Sequence, residues 1–428
     1  CRRSSNWTEL CRSALLRCDR LPAMSSPSWR TPAVVLACGC LIMAISFGIR
    51  AGFGLFLQPM SLEYGWGREV FSFSIALQNL MWGALGALAG GFADRFGPGR
   101  VIAVGAICYI LGLIGLSYIS IPWLLHLNSG LFLGGALGGT SFGIILAVIG
   151  RTVAPEKRSL YMGIATAAGS FGQFALLPVT QFLIASLDWH NALLALAAIA
   201  AVIIPLSLAL ASKPGAGAGS QSTQSIGEAL REAMNEKGFH LLFWGYFVCG
   251  FHIAMLTVHL PAFVTDSGLK IEHGMTALAL IGLFNVIGTL CAGYLGGKLS
   301  KKYLLSGIYL VRAALISMLV FLPLTTFNLY FFACGIGLLW LGTVPLTNGL
   351  VQQIFGMRYA AMLASIVFFG HQIGSFVGVW GAGYLYDTTG SYKWAFVGSI
   401  FLGVFAAIVN LPVNEKPLAE RRPEPAAA

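Results

Sequence analysis

Twelve long runs of nearly uncharged apolar residues, joined by short polar loops, leave this chain very few folds to adopt. They lie at about 33–58, 69–93, 101–119, 123–150, 159–184, 190–211, 240–265, 274–297, 303–323, 328–351, 360–385 and 393–412. A helix rising 1.5 Å per residue needs roughly 20 such residues to cross a hydrocarbon layer of about 30 Å. Inside that layer every backbone N–H and C=O must find a partner within the protein, which restricts the chain to helices or a closed barrel. A barrel would alternate apolar and polar residues in segments of about ten, and these runs do not alternate. The sequence therefore predicts an all-α membrane protein with twelve transmembrane helices. The composition agrees, with 57% hydrophobic and only 10% charged residues.

The net charge of +10 does not indicate a nucleic-acid partner, because the basic residues stand between apolar runs and in the tails rather than along one face. Counting Lys and Arg, the loops after even-numbered runs together with the tails hold twenty-one, and the loops after odd-numbered runs hold three. The positive-inside rule then puts both termini in the cytoplasm and makes the protein a multi-pass resident of the cell (inner) membrane, in direct contact with the lipid bilayer. The remaining two basic residues, Arg50 and Arg312, fall inside runs. The nine cysteines show no metal-ligand spacing and read as small packing residues. Neither a metal nor a cofactor is expected, and no HExxH or phosphate-loop motif is present to suggest an enzyme.

The halves repeat at a shift of about 200 residues. The hinge Gly90-Gly91-Phe92-Ala93-Asp94-Arg95-Phe96-Gly97-Pro98-Gly99-Arg100 has a counterpart in Ala292-Gly293-Tyr294-Leu295-Gly296-Gly297-Lys298, where the acid is lost. Phe171-Gly172-Gln173 likewise matches Phe369-Gly370-His371. A linker beginning Lys213-Pro214-Gly215 marks the midpoint, followed by a charged segment with helical spacing. The expected organisation is a cytoplasmic tail over 1–32, a first six-helix bundle over 33–211, a cytoplasmic linker over 212–239, a second bundle over 240–412 and a cytoplasmic tail over 413–428. Residues 1–23 lack a signal-like core, and Met24 reads as a plausible start, so that stretch is expected to be upstream sequence or an extension.

The hinge resembles the signature loop after the second helix of the major facilitator superfamily, G-x-x-x-D-R-x-G-R-R, with Gly90, Asp94, Arg95 and Gly97 in register. Pro98-Gly99 departs from the usual basic pair, so the remaining basic position comes late, at Arg100. The resemblance covers residues 30 to about 412. It implies two pseudo-symmetric six-helix bundles that rock about a midplane site, and a monomeric secondary transporter of a small molecule. On this reading Asp94, Arg95 and Arg100 form a cytoplasmic latch, with Asp94 paired to Arg95 or Arg100.

A charge at mid-bilayer costs roughly 2.5–3.5 kcal/mol on an insertion scale and persists only beside protein or a wet cavity. Arg50 is thus a substrate or gating candidate, or else a structural Arg bonded to carbonyls of a broken helix. In the superfamily the first, fourth, seventh and tenth helices line the path. His252 and His259 lie seven residues apart on one face of the seventh helix. Gln173, Asn285 and His371 are candidate contacts in the fifth, eighth and eleventh, with Gln78 and Asn79 in the second. Trp340 lies in a Pro-interrupted part of the tenth. Each has a bland alternative as packing or helix-to-helix glue. Arg312 is expected to make a structural pairing near the cytoplasmic side.

No Asp or Glu lies deep in a run, so intramembrane ionisable groups are cationic or imidazole, and such a cavity favours anions. The substrate expected is a small mono- or dicarboxylate, carried alone or with protons or a counter-anion. Any coupled proton would fall to His252, His259 or His371. The turns Tyr64-Gly65-Trp66-Gly67-Arg68 and Leu385-Tyr386-Asp387-Thr388-Thr389-Gly390 resemble those of bacterial monocarboxylate-transporter-like and oxalate/formate-antiporter-like members. The basic residues those families use in the eighth and eleventh helices are replaced here by Asn285 and His371. Drug export is the alternative, although the fourth helix lacks an early Arg and the fifth lacks Gly-Pro.

Overall fold

The computed structural model describes residues 29–66, 68–212 and 225–421. The expectations for residues 1–28, for the flexible part of the linker at 213–224 and for the tail beyond 421 lie outside the described residues. The helices of the first half are α1 (Pro32–Gly52), α2 (Leu57–Tyr64), α3 (Arg68–Phe96), α4 (Pro98–Ser117), α5 (Pro122–Leu125), α6 (Gly134–Gly139), α7 (Phe142–Thr152), α8 (Pro155–Ala201) and α9 (Ile203–Ser207). After the surface helix α10 (Ile226–Asn235) come α11 (Lys237–Asp266), α12 (Ile271–Gly296), α13 (Lys301–Phe321), α14 (Thr326–Leu338), α15 (Thr343–Phe355), α16 (Ala360–Thr389) and α17 (Lys393–Asn410).

Eleven continuous helical stretches among the described residues are long and apolar enough to cross a membrane, and one of them, Pro155–Ser207, has 53 residues. At 1.5 Å per residue that stretch would be about 80 Å long if straight, more than twice the thickness of the hydrocarbon layer, and it does not run straight. Asp188 breaks it with φ 68°, and its side chain caps the returning arm by accepting a hydrogen bond from the Asn191 amide at 3.0 Å. The two arms are the fifth and sixth crossings, which makes twelve.

Local chemistry sets the helix ends. Thr31 caps α1, its side chain accepting from the Val34 amide, and Pro32 follows at the first turn, where its missing N–H costs nothing. Ser225 and Glu228 form a reciprocal capping box on α10. The hydrogen bond from the Ser225 backbone N–H holds the Glu228 carboxyl below its usual range. The hinge between α3 and α4 is the single residue Gly97, at φ 97°, followed by Pro98. A side chain at that φ would be strained, so glycine permits the one-residue reversal and proline starts the next helix.

Three crossings are interrupted. The first passes from α1 through a 3-10 turn at Phe53–Phe56 into α2. The fourth runs from α5 through a π-helical segment at His126–Leu133 into α6, and breaks again at Thr140-Ser141 before α7. The tenth breaks at residues 339–342 between α14 and α15. Interrupted helices free backbone groups, which in a membrane must be satisfied by neighbouring side chains.

Small residues let the helices approach closely, since lipid supplies no hydrophobic force between them. Within the bundles, Gly48 and Gly52 of α1 pack on Leu176 and Thr180 of α8, and Gly374 of α16 packs on Phe247 of α11. Between the bundles, α3 lies on α16 through Gly90 and Ala361, and α8 lies on α12 through Gly163 and Gly293. A Cβ on Gly163 would stand 2.8 Å from the Gly293 Cα and 3.1 Å from the Thr289 carbonyl. Gly163→Leu is therefore expected to wedge the bundles apart and cost about 1–3 kcal/mol, seen as a lower melting temperature. Gly282→Leu is the control, because a Cβ there meets nothing within 4 Å. Equal melting of both variants would show that the Gly163 contact is slack.

Candidate functional site

Arg50 sits on the last full turn of α1, about 27 Å along the helix from Pro32 at 1.5 Å per residue. Its Nη2 donates to the Asn79 Oδ1 of α3 at 2.6 Å, and its Cζ lies 4.9 Å from the centroid of the Trp82 ring, one turn further along α3. The buried Nε has no hydrogen-bond partner. An Arg with one amide partner, an aromatic face and a free N–H is held in place without being saturated. Locking of Arg50 by carbonyls of a broken helix, the alternative expected from sequence, is not what the structure contains; the partners of Arg50 are side chains of α3.

Beneath Arg50 the aromatic rings continue across the seam. Phe47 packs between Trp82 and Phe142, with centroids 5.5 and 4.3 Å away, and Trp82 meets Phe368 of the second bundle at 5.0 Å. Phe368 in turn stacks on His371 at 5.1 Å, with an interplanar angle of 15°. Tyr246 of α11 closes the array against both. His371 is buried, its Nδ1 donating to the Gln372 Oε1 at 3.2 Å. A guanidinium on one bundle and an imidazole on the other thus share an aromatic floor. The arrangement can hold a planar anion bidentately from one side while the floor blocks passage toward the basic end of the molecule.

That end is shut by a second cluster. The Asp94 carboxylate is buried and pairs with Arg151, the two lying 2.5 Å apart. Its other oxygen accepts the Met362 backbone N–H at 2.9 Å. Arg151 Nε donates to the Met357 carbonyl at 2.9 Å, and Nη2 to the Arg358 carbonyl at 3.3 Å. Asp94 and Arg151 belong to the first bundle, and residues 357–362 lie in the second, in the turn after α15 and the first residues of α16. One ion pair therefore clasps both bundles together, about 18 Å below Trp82 by helical rise. Gln352 reinforces the closure, with its Nε2 donating to the Leu146 carbonyl at 3.3 Å. Beside the clasp a cavity of about 470 Å³ is lined by Asp94, Arg95, Arg358, Tyr359 and the first residues of α10.

This corrects the expected latch. Arg95 and Arg100 are exposed, and Arg95 lies over the Phe96 ring instead of pairing with Asp94. The partner is Arg151, which the sequence shows only as one basic residue after an apolar run. Its one legible sign was that it ends an even-numbered crossing, on the same side as Asp94.

The other expected contacts divide. Asn285 donates from Nδ2 to the Ser170 Oγ of α8 at 2.8 Å, and its Oδ1 accepts the Leu341 amide at 3.0 Å. It therefore ties the bundles and the break of the tenth crossing. His252 is 1% exposed and its Nε2 donates to the Ser399 carbonyl of α17 at 2.8 Å, deep inside the second bundle. His259 donates from Nε2 to the Val379 carbonyl at 3.0 Å, and its Nδ1 accepts from Tyr392 at 3.3 Å. Neither is brought to the Arg50 group. Gln173 is half-buried on α8, and Gln78 is buried on α3. Trp340 is 9% exposed and gives its carbonyl to Arg312 Nη2, which also holds the Leu339 carbonyl at 2.5 Å. Arg312 lies halfway along α13, so its structural pairing falls at mid-depth and not near the basic end. Among the described residues no group of His, Cys, Asp and Glu could hold a metal ion.

Comparison with known proteins gives a consistent set of likenesses. A family model described as Major Facilitator Superfamily matches residues 36–379. The uncharacterized MFS-type transporter YcxA of Bacillus subtilis (strain 168) is 27% identical over 394 residues, covering 87% of this chain and 92% of that protein. Monocarboxylate transporter 13 of Bos taurus is 26% identical over 390 residues, covering 86% of each. Among solved structures, the transporter FucP in its outward conformation superposes with a TM-score of 0.72 at 15% identity, over 88% of this chain and 97% of that one. The human organic anion transporter MFSD10 (TETRAN) gives a TM-score of 0.65 at 15% identity, over 90% and 100%.

Proposed function

Because the chain belongs to the major facilitator superfamily, a family of membrane transporters and not of enzymes, we propose that it carries a small organic anion, a mono- or dicarboxylate, by alternating access. The observation that carries this reading is Arg50: a guanidinium at membrane depth, fixed by Asn79 and Trp82, with a buried N–H left over and no carboxylate partner. A carboxylate supplies what is missing, two coplanar acceptors and the compensating charge. Relatives named for monocarboxylates and a structural neighbour named for organic anions support the same class.

The clasp at Asp94 and Arg151 fits a state closed at the basic end, which the loop charges place in the cytoplasm. Substrate then enters from the opposite side, settles on the Trp82 and Phe368 floor, and meets Arg50 from one bundle and His371 from the other. Rocking of the bundles breaks the clasp and releases it.

A thermal-shift screen of the purified protein tests this. Short carboxylates should raise the melting temperature, and their amides, of equal size without charge, should not. A ligand at 100 times its Kd stabilises by about 2.7 kcal/mol, well within such a measurement. Stabilisation by lipophilic cations, or by neutral sugars alone, would overturn the anion assignment.

A further inference from the structure

The two bundles place the same three positions together, each pair 203 residues apart in sequence. In the first bundle Ser46 and Thr140 share a hydrogen bond of 2.6 Å, and the Tyr109 hydroxyl donates to the Ser46 carbonyl at 2.7 Å. In the second bundle the positions are Cys249, Thr343 and Arg312. The Cys249 Sγ lies 3.1 Å from the Thr343 Oγ1 and 3.6 Å from the Arg312 Nη1. The two sites thus differ at two points together. Where the first bundle has a neutral tyrosine the second has a permanent cation, and where the first has a serine the second has an ionisable thiol.

Arg312 is 1% exposed and Cys249 fully buried. The guanidinium holds the Leu339 and Trp340 carbonyls where the tenth crossing is broken, and its buried Nε has no hydrogen-bond partner. Carbonyl dipoles do not neutralise it, and an uncompensated buried charge is strongly unfavourable. The acids of α11, α13, α15 and α16 are Asp266 and Asp387, each near the far end of its helix. Facing the thiol are Arg312 and Tyr309 from α13, Tyr246 from its own helix, Thr343 from α15 and His371 from α16, while His252 of the same helix lies beside Arg312. Of these, none is a carboxylate.

We propose that Cys249 is the counter-ion of Arg312, a buried thiolate accepting a hydrogen bond from Thr343, and that this pair is a protonation site within the second bundle. Thiolates are favoured beside guanidinium groups for the same electrostatic reason. A proton reaching the sulfur, by way of the neighbouring His371 imidazole on the aromatic floor, converts thiolate to thiol and leaves Arg312 alone with its two carbonyls. The break of the tenth crossing, which Arg312 holds, is then loosened. The chain has no carboxylate at this depth, and the pair supplies an acid where the sequence offers only imidazoles. This inference stands on the Cys249–Arg312 geometry and does not depend on the carboxylate reading of Arg50.

The test uses the purified full chain and needs no substrate. Cys249→Ser keeps the shape and the hydrogen bond to Thr343 but stays neutral. It should lower the melting temperature at pH 8 by roughly 3–6 °C, and the gap from wild type should close as the pH falls toward 5 and the wild-type sulfur takes its proton. The double variant C249S/R312M, which removes both charges, should recover more than half of the loss. Wild type should also absorb more strongly at 240 nm than the double variant at pH 8, the mark of one additional thiolate. A Cys249→Ser protein that melts with wild type at every pH would overturn the proposal, as would equal absorbance at 240 nm. Equal loss in the single and double variants would do so too, since the position would then be needed for its shape and not its charge.

Discussion

Replacing Arg50 with alanine should abolish binding of whichever carboxylate stabilises the wild-type protein, while leaving the fold intact. Truncating one partner of a buried, hydrogen-bonded charge pair costs about 2–5 kcal/mol, or roughly 30- to 5,000-fold in affinity. Folding should not suffer, because a charge at membrane depth is itself a burden and its removal spares the bundle that cost. The melting temperature without ligand should hold or rise as affinity disappears. Arg50→Lys separates charge from geometry. The ammonium keeps the attraction but loses the planar fork and the packing over Trp82, so binding should be weakened and not restored. Calorimetric titration of the three proteins decides the matter. Undiminished affinity in Arg50→Ala would remove this residue from the site and leave the anion reading without its main support.

The second large effect is expected at the clasp. Asp94→Asn keeps an acceptor for the Met362 amide but strands Arg151, and breaking a buried ion pair by removing one partner costs about 3–5 kcal/mol. The clasp joins the bundles, so the loss should appear as opening of the seam at that end and not as general unfolding. Hydrogen exchange reports it directly. The peptide containing Met362 should exchange roughly 150- to 5,000-fold faster, while the core of α4, buried in the first bundle, stays protected. Arg151→Met in the same background should return part of the protection, because the stranded charge is then gone. Exchange at Met362 that matches wild type would mean that packing of Gly90 against Ala361 closes the seam without help from the ion pair.

The contrast between the two sites explains how much could be read ahead of the structure. Arg50 was visible because one charge in an apolar run is costly wherever its partners lie. Its setting was less so: Asn79 and Trp82 stood among several polar and aromatic residues of the second crossing, each with an equally good packing explanation. At the clasp the acid was legible in its motif, but the pairing was not. Arg95 is its nearest neighbour in sequence, yet on a helix successive side chains point apart and only residues three or four positions away share a face. Arg151 reaches Asp94 because the fourth crossing returns to the same end of the bundle, a fact of packing. His252 shows the reverse error, since its spacing from His259 fixed a helix face without saying whether that face looks toward the seam or, as it does, toward α17.

The sequence by itself determined the class of molecule, twelve crossings in two related halves, because the hydrocarbon layer imposes a length and a polarity on every segment independently of the others. The charge of the loops and the one-residue hinge at Gly97 are equally local. Only the tertiary structure decided which helices face each other, and with that the partners of Asp94, the floor beneath Arg50 and the meeting of Cys249 with Arg312. In lipid no hydrophobic force selects among apolar faces, so pairing rests on where small residues allow close approach and where polar groups complete one another. Those are properties of two surfaces taken together, often 200 residues apart, and neither surface carries them alone.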